Sequence, residues 1–362
     1  MGLWRQRDFL ELWAGQTISL LGTQVTGVAL ALTAAVVLQA TPAEMGVIGT
    51  LNVLPFVFFG LPAGVWVDRV QRRWVLIGAK LALAEAIARV GGPSVAGVLV
   101  QLFTAPVAIL VDCASYVVSA CSLFTIAARE QPAHAAQTAG LRNQVGEGIQ
   151  LVARHTLLRP LFIGTTLGNA ADGLAFQSGA VVLLLTRELR LDAATIGAVF
   201  AGLAIGGLIG AALAGPLRQT VGLGATILGC LTLWSLGYGG LAFTTQSTSA
   251  SVVAAILLGA FGAINPIAGA NITTVRQIVT PHSLLGRVTA VGTVGSAAAI
   301  AAGSFFGGVL GDTIGLRPTL LISVLLPLLG VASVLLSPVR RLRRVEMLAS
   351  EVISLPTESF RQ

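Results

Sequence analysis

Ten long apolar stretches dominate this sequence of 362 residues and decide what the chain can fold into. A helix needs about 20 predominantly apolar residues to cross the hydrocarbon core of a bilayer. Only 10% of the residues are charged and 55% are hydrophobic, whereas a soluble domain carries about 25% charged residues. This composition excludes a water-soluble enzyme, a secreted disulfide scaffold and a disordered chain. The sequence predicts an all-α membrane protein whose spans cover residues 13–38, 43–66, 83–104, 106–127, 161–185, 194–214, 224–243, 252–275, 287–310 and 317–336.

The 22 Lys and Arg residues are distributed unevenly between alternate loops. If both termini lie in the cytoplasm, three arginines fall outside (Arg187, Arg190 and Arg317) and the remaining 19 basic residues fall inside. The positive-inside rule favours this orientation. The net charge of +7 then reflects topology, so no nucleic-acid partner is expected. We therefore predict a multi-pass protein of the cell (inner) membrane with cytoplasmic N- and C-termini.

A wide hydrophilic gap divides the chain into two hydrophobic halves, as a connector between two helical bundles would. Charged and apolar residues alternate at helical spacing near the C-terminus, which predicts an interfacial helix on anionic membrane lipid. We expect an N-terminal bundle of four spans over 1–128, a cytoplasmic linker over 129–160, a C-terminal bundle of six spans over 161–338 and a cytoplasmic tail over 339–362.

A weak internal repeat relates the two halves. A shift of 151 positions aligns Gly46 with Gly197 and Gly78 with Gly229, but further along the matching shift is 211 and aligns Gly92 with Gly303. The difference of 60 residues is the length of a two-helix hairpin with its loops. The first half therefore lacks a hairpin that the second half carries at about 231–290. The alternative is that ten spans are the native design and that the glycines match by chance.

The loop after the second span carries the motif Gly64-Val-Trp-Val-Asp68-Arg69-Val-Gln-Arg72-Arg73. Gly64 permits close approach of a neighbouring helix, and Asp68 stands where the helix ends. The arginines hold the loop at the anionic cytoplasmic surface. An ordinary basic loop explains the three arginines alone, but it does not explain Gly and Asp at this spacing.

This loop resembles the cytoplasmic signature of the major facilitator superfamily. The segments 12–16 (Leu-Trp-Ala-Gly-Gln), 110–116 and 284–288 resemble the branch that includes enterobactin-type siderophore exporters and macrolide-efflux pumps. The resemblance covers nearly the whole chain and implies two bundles that alternately expose a site at the membrane midplane. The run from Lys80 resembles the approach to the family's fifth helix, so the hairpin equivalent to helices 3 and 4 is absent. About ten helices (4 + 6) are then expected instead of twelve.

Polar residues at membrane depth are costly and are candidates for the transport site. Asp172 lies near the middle of the span 161–185, and Asn169 lies three residues before it on the same face. A carboxylate at this depth must be protonated, paired or hydrated. Asp172 is therefore either a coupling group for a proton or another cation, with Asn169 as a substrate contact, or a packing residue that is hydrogen-bonded to a neighbouring helix. Further candidates for coupling or substrate binding are Asp112, Asn265, Asn271, Gln16, Gln24 and Gln101.

Two of these candidates have a competing structural explanation. Asp112 lies near the outer end of its span, where a packing role is favoured. Pro266 follows Asn265 and predicts either a break that lines a cavity or a plain kink.

The sequence contains no nucleophile–base arrangement, phosphate-binding glycine loop or nucleotide motif, which argues against an enzyme and against an ATP-driven pump. The three His residues are far from the Cys residues, so no metal or cofactor is expected. We expect a monomeric secondary active transporter that exports a small amphipathic compound, drug- or siderophore-like, as a proton antiporter. The alternatives are a transport-defective relative that lacks the hairpin, and an intramembrane enzyme that uses Asp112 and Asp172.

Overall fold

The structure, a computed structural model, describes residues 27, 30–67, 141–247, 249–281 and 284–342. These residues form helices joined by short turns, and no strand occurs among them. A π-helix over Thr33–Val37 precedes the first long helix. The long helices are α1 (Pro42–Val67), α2 (Leu141–Arg154), α3 (Leu158–Asp172), α4 (Ala193–Thr220), α5 (Leu223–Phe243), α6 (Ala250–Val279), α7 (Leu285–Thr313) and α8 (Leu316–Leu335).

The long apolar helices coincide with predicted spans. Five helices, α4 to α8, are long and apolar enough to cross a membrane. Their ends fall within a few residues of the predicted spans, except that α4 and α6 extend further at their C-terminal ends. The predicted all-α membrane fold is confirmed. The spans predicted over 83–104 and 106–127, and most of the span over 13–38, lie outside the described residues.

The span predicted over 161–185 is not one continuous α-helix, and the prediction is wrong in this respect. The α-helix ends at Asp172, and a bend at Gly179 divides the segment between Asp172 and Glu188. Gly179 has a φ of 76°, a left-handed conformation that glycine adopts without steric cost. The interrupted part consists of a π-helix over Gly173–Gln177, a single α-turn over Ala180–Leu183 and a second π-helix over Leu184–Glu188.

Part of the predicted linker over 129–160 is the amphipathic helix α2, which packs against the N-terminal end of α7. Glu147 forms an ion pair with Arg287. One residue on, Gly148 brings the two helices together, because a Cβ there would lie 3.0 Å from Val291 and 3.1 Å from the Arg287 carbonyl oxygen.

His155 connects α2 to α3. Its Nδ1 accepts hydrogen bonds from the backbone N–H groups of Leu157 (3.2 Å) and Leu158 (3.4 Å). These N–H groups belong to the first turn of α3, where no partner exists within the helix. Burial lowers the pKa of His155, so the ring stays neutral and keeps Nδ1 as an acceptor.

Small residues bring the C-terminal helices into close contact. A Cβ at Gly206 or Gly210 of α4 would collide with the backbone of α6 at Gly259 or Ala263. Such interfaces are typical of membrane helices, which gain stability mainly from close packing of their backbones.

Arg317 joins three segments at one end of the bundle. Its Nε donates to Glu188 Oε2 at 2.6 Å, while Nη1 and Nη2 donate to the carbonyl oxygens of Ala242 (2.7 Å) and Thr244 (2.8 Å). The start of α8 is thereby held against the end of α5 and the second π-helix. The opposite end of the bundle carries the ion pair between Glu147 and Arg287.

Candidate functional site

Asp172, the last residue of α3, faces two polar aromatic side chains of α5. The hydroxyl of Tyr238 donates a hydrogen bond to Asp172 Oδ1. The indole Nε1 of Trp234 lies 3.3 Å from the same oxygen and 3.2 Å from the Tyr238 hydroxyl. Tyr238 and Trp234 are buried, and Asp172 is half-buried. Two buried donors therefore converge on one carboxylate oxygen.

Phe261 of α6 closes the other side of these donors. Its ring centroid lies 5.3 Å from that of Tyr238, 5.9 Å from that of Trp234 and 5.0 Å from that of Phe176. Aromatic rings at such separations pack favourably and leave little room for water. We call the group formed by Asp172, Phe176, Trp234, Tyr238 and Phe261 the Asp172 cluster.

Local backbone features of α3 create the space for this cluster. A Cβ at Gly168 would lie 3.2 Å from the Trp234 ring, so glycine at this position lets the indole lie against α3. The π-helix that follows Asp172 contains Phe176. Single π-helical turns inside spans are frequent at functional sites, because they redirect side chains without ending the helix.

Asn169 does not join Asp172 in one site. Its Nδ2 donates to Ser296 Oγ of α7 at 3.1 Å and to the Thr165 carbonyl oxygen at 2.8 Å. Asn169 and Asp172, one turn apart on α3, therefore contact different helices, and a role of Asn169 in substrate binding stays a prediction. Residues three apart on an α-helix differ by about 60° in direction, and here that angle separates a contact with α7 from a contact with α5.

The two asparagines of α6 differ in burial. Asn265 is exposed, whereas Asn271 is fully buried. Asn271 Nδ2 donates to the Ile267 carbonyl oxygen at 2.7 Å, and its Oδ1 has no partner among the described residues. The helix runs through Pro266 without interruption, so the break considered as one alternative is not observed.

Of the predicted signature residues, Gly64 lies in α1. The remaining signature residues and four polar candidates lie outside the described residues: Asp68, Arg69, Arg72, Arg73, Asp112, Gln16, Gln24 and Gln101.

A second feature of functional interest is the contact between α1, from the N-terminal half, and α7. A Cβ at Gly46 would lie 2.7 Å from the Gly308 Cα, so the two backbones touch. Ser304 Oγ donates to the Gly46 carbonyl oxygen at 3.0 Å. Thr50 Oγ1 donates to the Ala301 carbonyl oxygen at 3.2 Å. These contacts join the first turns of α1 to the last turns of α7.

Two more side chains of the C-terminal half extend this contact. Gln177 Nε2 donates to the Gly49 carbonyl oxygen at 3.3 Å. Arg187 Nη2 donates to the carbonyl oxygens of Ala40 (2.7 Å) and Ala35 (3.4 Å). We call the surface formed by residues 35–50 with Gln177, Arg187, Ala301, Ser304 and Gly308 the Gly46 seal.

Trp234 and Tyr238 are partners of Asp172 that the sequence alone does not identify. Their signal is a pair of aromatic residues with polar tips, spaced i, i+4 inside the span predicted over 224–243. Among the described residues, no group of three or more His, Cys, Asp or Glu side chains has an arrangement that could hold a metal ion.

Solved structures with the same fold are transporters. The nucleoside transporter NupG aligns with a TM-score of 0.68 at 11% identity, over 91% of this chain and 98% of that chain. A bacterial homologue of the iron transporter ferroportin in its inward-facing state aligns with a TM-score of 0.67 at 15% identity, over 91% of this chain and 98% of that chain. At these identities the likeness shows the fold alone.

Sequence comparisons identify the family. The multidrug efflux pump Tap of Mycolicibacterium fortuitum is 28% identical over 277 residues, which are 74% of this chain and 65% of Tap. The chain thus spans less than two thirds of the length of this relative. Residues 12–88 match the major facilitator superfamily profile, and residues 82–360 match the profile described as transmembrane secretion effector. The chain belongs to the transmembrane secretion effector family of the major facilitator superfamily.

Proposed function

We propose that the chain exports a small amphipathic compound by alternating access, in exchange for protons. The observation that carries this proposal is the Gly46 seal, which joins α1 of the N-terminal half to α7 of the C-terminal half at one end of the described residues. Export is supported by the similarity to Tap, a multidrug efflux pump. The transported compound is expected to be drug- or siderophore-like.

The charge distribution favours an inward-facing state. The Gly46 seal lies at the end that carries Arg187 and Arg317, two of the three basic residues assigned to the outer side. With both termini in the cytoplasm of the inner membrane, the seal faces outward.

Asp172 is the residue we assign to proton coupling. Both donors, Tyr238 and Trp234, approach Oδ1, so Oδ2 keeps its capacity to take up a proton. An acidic side chain at membrane depth is expensive unless it serves a function or is fully compensated. A proton arriving at Asp172 changes the charge of a group that links α3 to α5, and a helix movement can follow.

We also propose that the chain has ten spans in a 4 + 6 arrangement, with bundles over 1–128 and 161–338 joined by a cytoplasmic linker over 129–160. The two family matches meet at residues 82–88. The jump in the repeat register falls between Gly78 and Gly92, which includes this boundary. The coincidence supports a missing hairpin equivalent to helices 3 and 4. The competing proposal is that the shortened chain folds without a transport cycle.

Flux measurements with the purified protein test transport directly. The chain is reconstituted into phosphatidylethanolamine–phosphatidylglycerol vesicles with an acidic lumen and given a panel of fluorescent amphipathic compounds. We expect at least one compound to accumulate in the lumen while protons leave. Absence of accumulation across the panel, from protein that is folded and inserted, would contradict the proposal and favour the transport-defective alternative.

The variant Asp172→Asn tests the coupling role. It is expected to abolish accumulation driven by the pH gradient while binding of the compound remains. Asp192→Asn is the matched control, because Asp192 is an exposed acid that caps α4 by accepting from the Thr195 backbone N–H at 2.8 Å, and asparagine can replace it as a cap. Equal accumulation by both variants would exclude Asp172 as the coupling group.

A further inference from the structure

Two polar side chains near the C-terminal end of α6 have buried atoms without a partner. Arg276 Nε and Thr280 Oγ1 make no hydrogen bond among the described residues. Arg276 is half-buried and Thr280 is buried. Arg276 lies in the last turn of α6, and Thr280 follows the helix directly, with its backbone N–H donating to the Arg276 carbonyl oxygen at 3.1 Å. Buried polar groups in native proteins are almost always paired, so these two atoms require an explanation.

The guanidinium of Arg276 lies where three helices meet. A Cβ at Gly292 of α7 would come within 3.4 Å of Arg276 Nη1 and within 3.3 Å of the Phe162 ring of α3. A Cβ at Gly292 would be crowded, so glycine at this position lets the Arg276 guanidinium and the Phe162 ring lie close together against α7. Phe162 is half-buried, so its ring is available to an apolar group.

The acidic residues of the described part of the C-terminal half do not neutralise Arg276. Glu147 pairs with Arg287, Glu188 pairs with Arg317, and Asp172 accepts from Tyr238. The remaining two acids belong to the other end of the bundle, where Asp192 caps the start of α4 and Asp312 lies in the last turn of α7. Among the described residues, no acid therefore compensates the positive charge of Arg276, which lies at the end opposite the Gly46 seal.

We propose that Arg276 and Thr280 form a subsite for an anionic group of the transported compound, a carboxylate, sulfonate or phosphate. This inference rests on the proposed function and names the class of its substrate as an amphipathic anion. The guanidinium donates charge-assisted hydrogen bonds to the anionic oxygens, and the Thr280 hydroxyl donates a further one. Phe162 contacts the apolar body of the compound.

Three probes that share one fluorophore test the subsite: dansylglycine (anion), dansylamide (neutral) and dansylcadaverine (cation). Binding to the full-length protein in lipid nanodiscs is followed by dansyl fluorescence. Arg276→Gln is expected to weaken dansylglycine binding about 10- to 100-fold, because a charge-assisted hydrogen bond is lost. Thr280→Val is expected to weaken it about fivefold, as for a neutral hydrogen bond. Binding of dansylamide changes little in either variant.

Two further variants separate a binding role from a structural one. Arg276→Lys keeps the charge without the Nε donor and is expected to bind dansylglycine with intermediate affinity. Arg218→Gln is the matched control, because Arg218 also lies near this end but donates to Thr274 Oγ1 at 3.0 Å. It is expected to bind dansylglycine like the wild type. Size-exclusion chromatography and thermal unfolding report whether each variant is folded.

The outcomes separate this inference from the proposed function. If Arg276→Gln weakens all three probes equally, or if the wild type does not bind dansylglycine, the anionic subsite is excluded. If vesicles accumulate dansylamide but Arg276→Gln does not weaken dansylglycine binding selectively, the proposal of export is retained and the anionic subsite is rejected. If no probe is transported, nanodisc binding still decides the subsite on its own.

Discussion

Tyr238 donates a hydrogen bond to Asp172 Oδ1, and Trp234 approaches the same oxygen from the neighbouring turn of α5. This arrangement connects α3 to α5 within the C-terminal half. It also gives a measurable coupling between two side chains that are 66 residues apart in sequence.

We predict that Tyr238→Phe destabilises the protein by about 1 kcal/mol, because the ring keeps its contact with Phe261 while Asp172 loses a donor. Thermal unfolding in detergent measures the loss. In an Asp172→Ala background the same substitution is expected to cost much less, since the acceptor is already gone. Equal losses in both backgrounds would show that the hydrogen bond contributes nothing to stability.

The Gly46 seal depends on direct backbone contact between Gly46 and Gly308. Gly308→Ala is expected to push α1 away from α7 and to open the seal. A Met45→Cys reporter, buried in the wild type at 4% exposure, should then react faster with a membrane-impermeant maleimide. The three native cysteines are replaced beforehand.

Gly295→Ala is the control for that experiment, because Gly295 lies in the same helix and a Cβ there would meet nothing within 4 Å. Its labelling rate should equal that of the reporter alone. If both alanine variants label at the same rate, a clash between residue 308 and the Gly46 backbone does not open the seal.

Gly179 produces the bend between the two π-helices, and its left-handed backbone disfavours any residue with a Cβ. Gly179→Ala is expected to lower stability by about 1–2 kcal/mol, and asparagine, which tolerates this conformation better, should lower it less. Gly229→Ala serves as the control, since a Cβ at Gly229 of α5 meets nothing within 4 Å. Thermal unfolding of the three variants should rank Gly179→Ala lowest, and any other order argues against backbone strain.

His155 makes stability depend on pH. Burial lowers its pKa below the ordinary value of about 6.5, so the folded state binds a proton less readily than the unfolded state. Its contribution is therefore fully present above about pH 6.5 and is lost as the pH falls toward the folded-state pKa. The unfolding temperature should decrease between pH 7.5 and 5.5. His155→Asn should flatten this dependence, and an unchanged slope would assign it to other groups.

Hydropathy is sufficient to place the apolar helices α1 and α4 to α8, because span length and apolar content are properties of each segment alone. The ends of α5 and α8 agree with the predicted spans to within a residue or two. The interruption between Asp172 and Glu188 is not predictable in this way, since the π-turns and the bend at Gly179 depend on packing against α1 and α7. The hydropathy of an apolar run of this length is the same whether its backbone forms a continuous α-helix or is interrupted.

The site is predictable only in part for a similar reason. Asp172 stands out because an acid at membrane depth is unusual in any sequence. Its donors do not stand out, because Trp234 and Tyr238 resemble ordinary core aromatics until α5 is placed beside α3. In the sequence, Arg276 is only one of the basic residues that indicate the orientation of the chain in the membrane. Among the described residues its Nε has no hydrogen-bond partner, and only the structure reveals this.

Apart from the hydrogen bond that Thr50 donates to Ala301, the polar contacts of the Gly46 seal run in one direction, which bears on how the protein can vary. Ser304, Gln177 and Arg187 all donate from the C-terminal half, and every acceptor opposite them is a main-chain carbonyl. A main-chain carbonyl oxygen remains an acceptor whichever side chain its residue carries. Residues 35 and 40 can therefore change to another small residue without losing the hydrogen bonds from Arg187. Gly46 and Gly49 have no such freedom, because a Cβ at either position would collide with the opposite backbone. Substitution of any of the three donors removes its hydrogen bond.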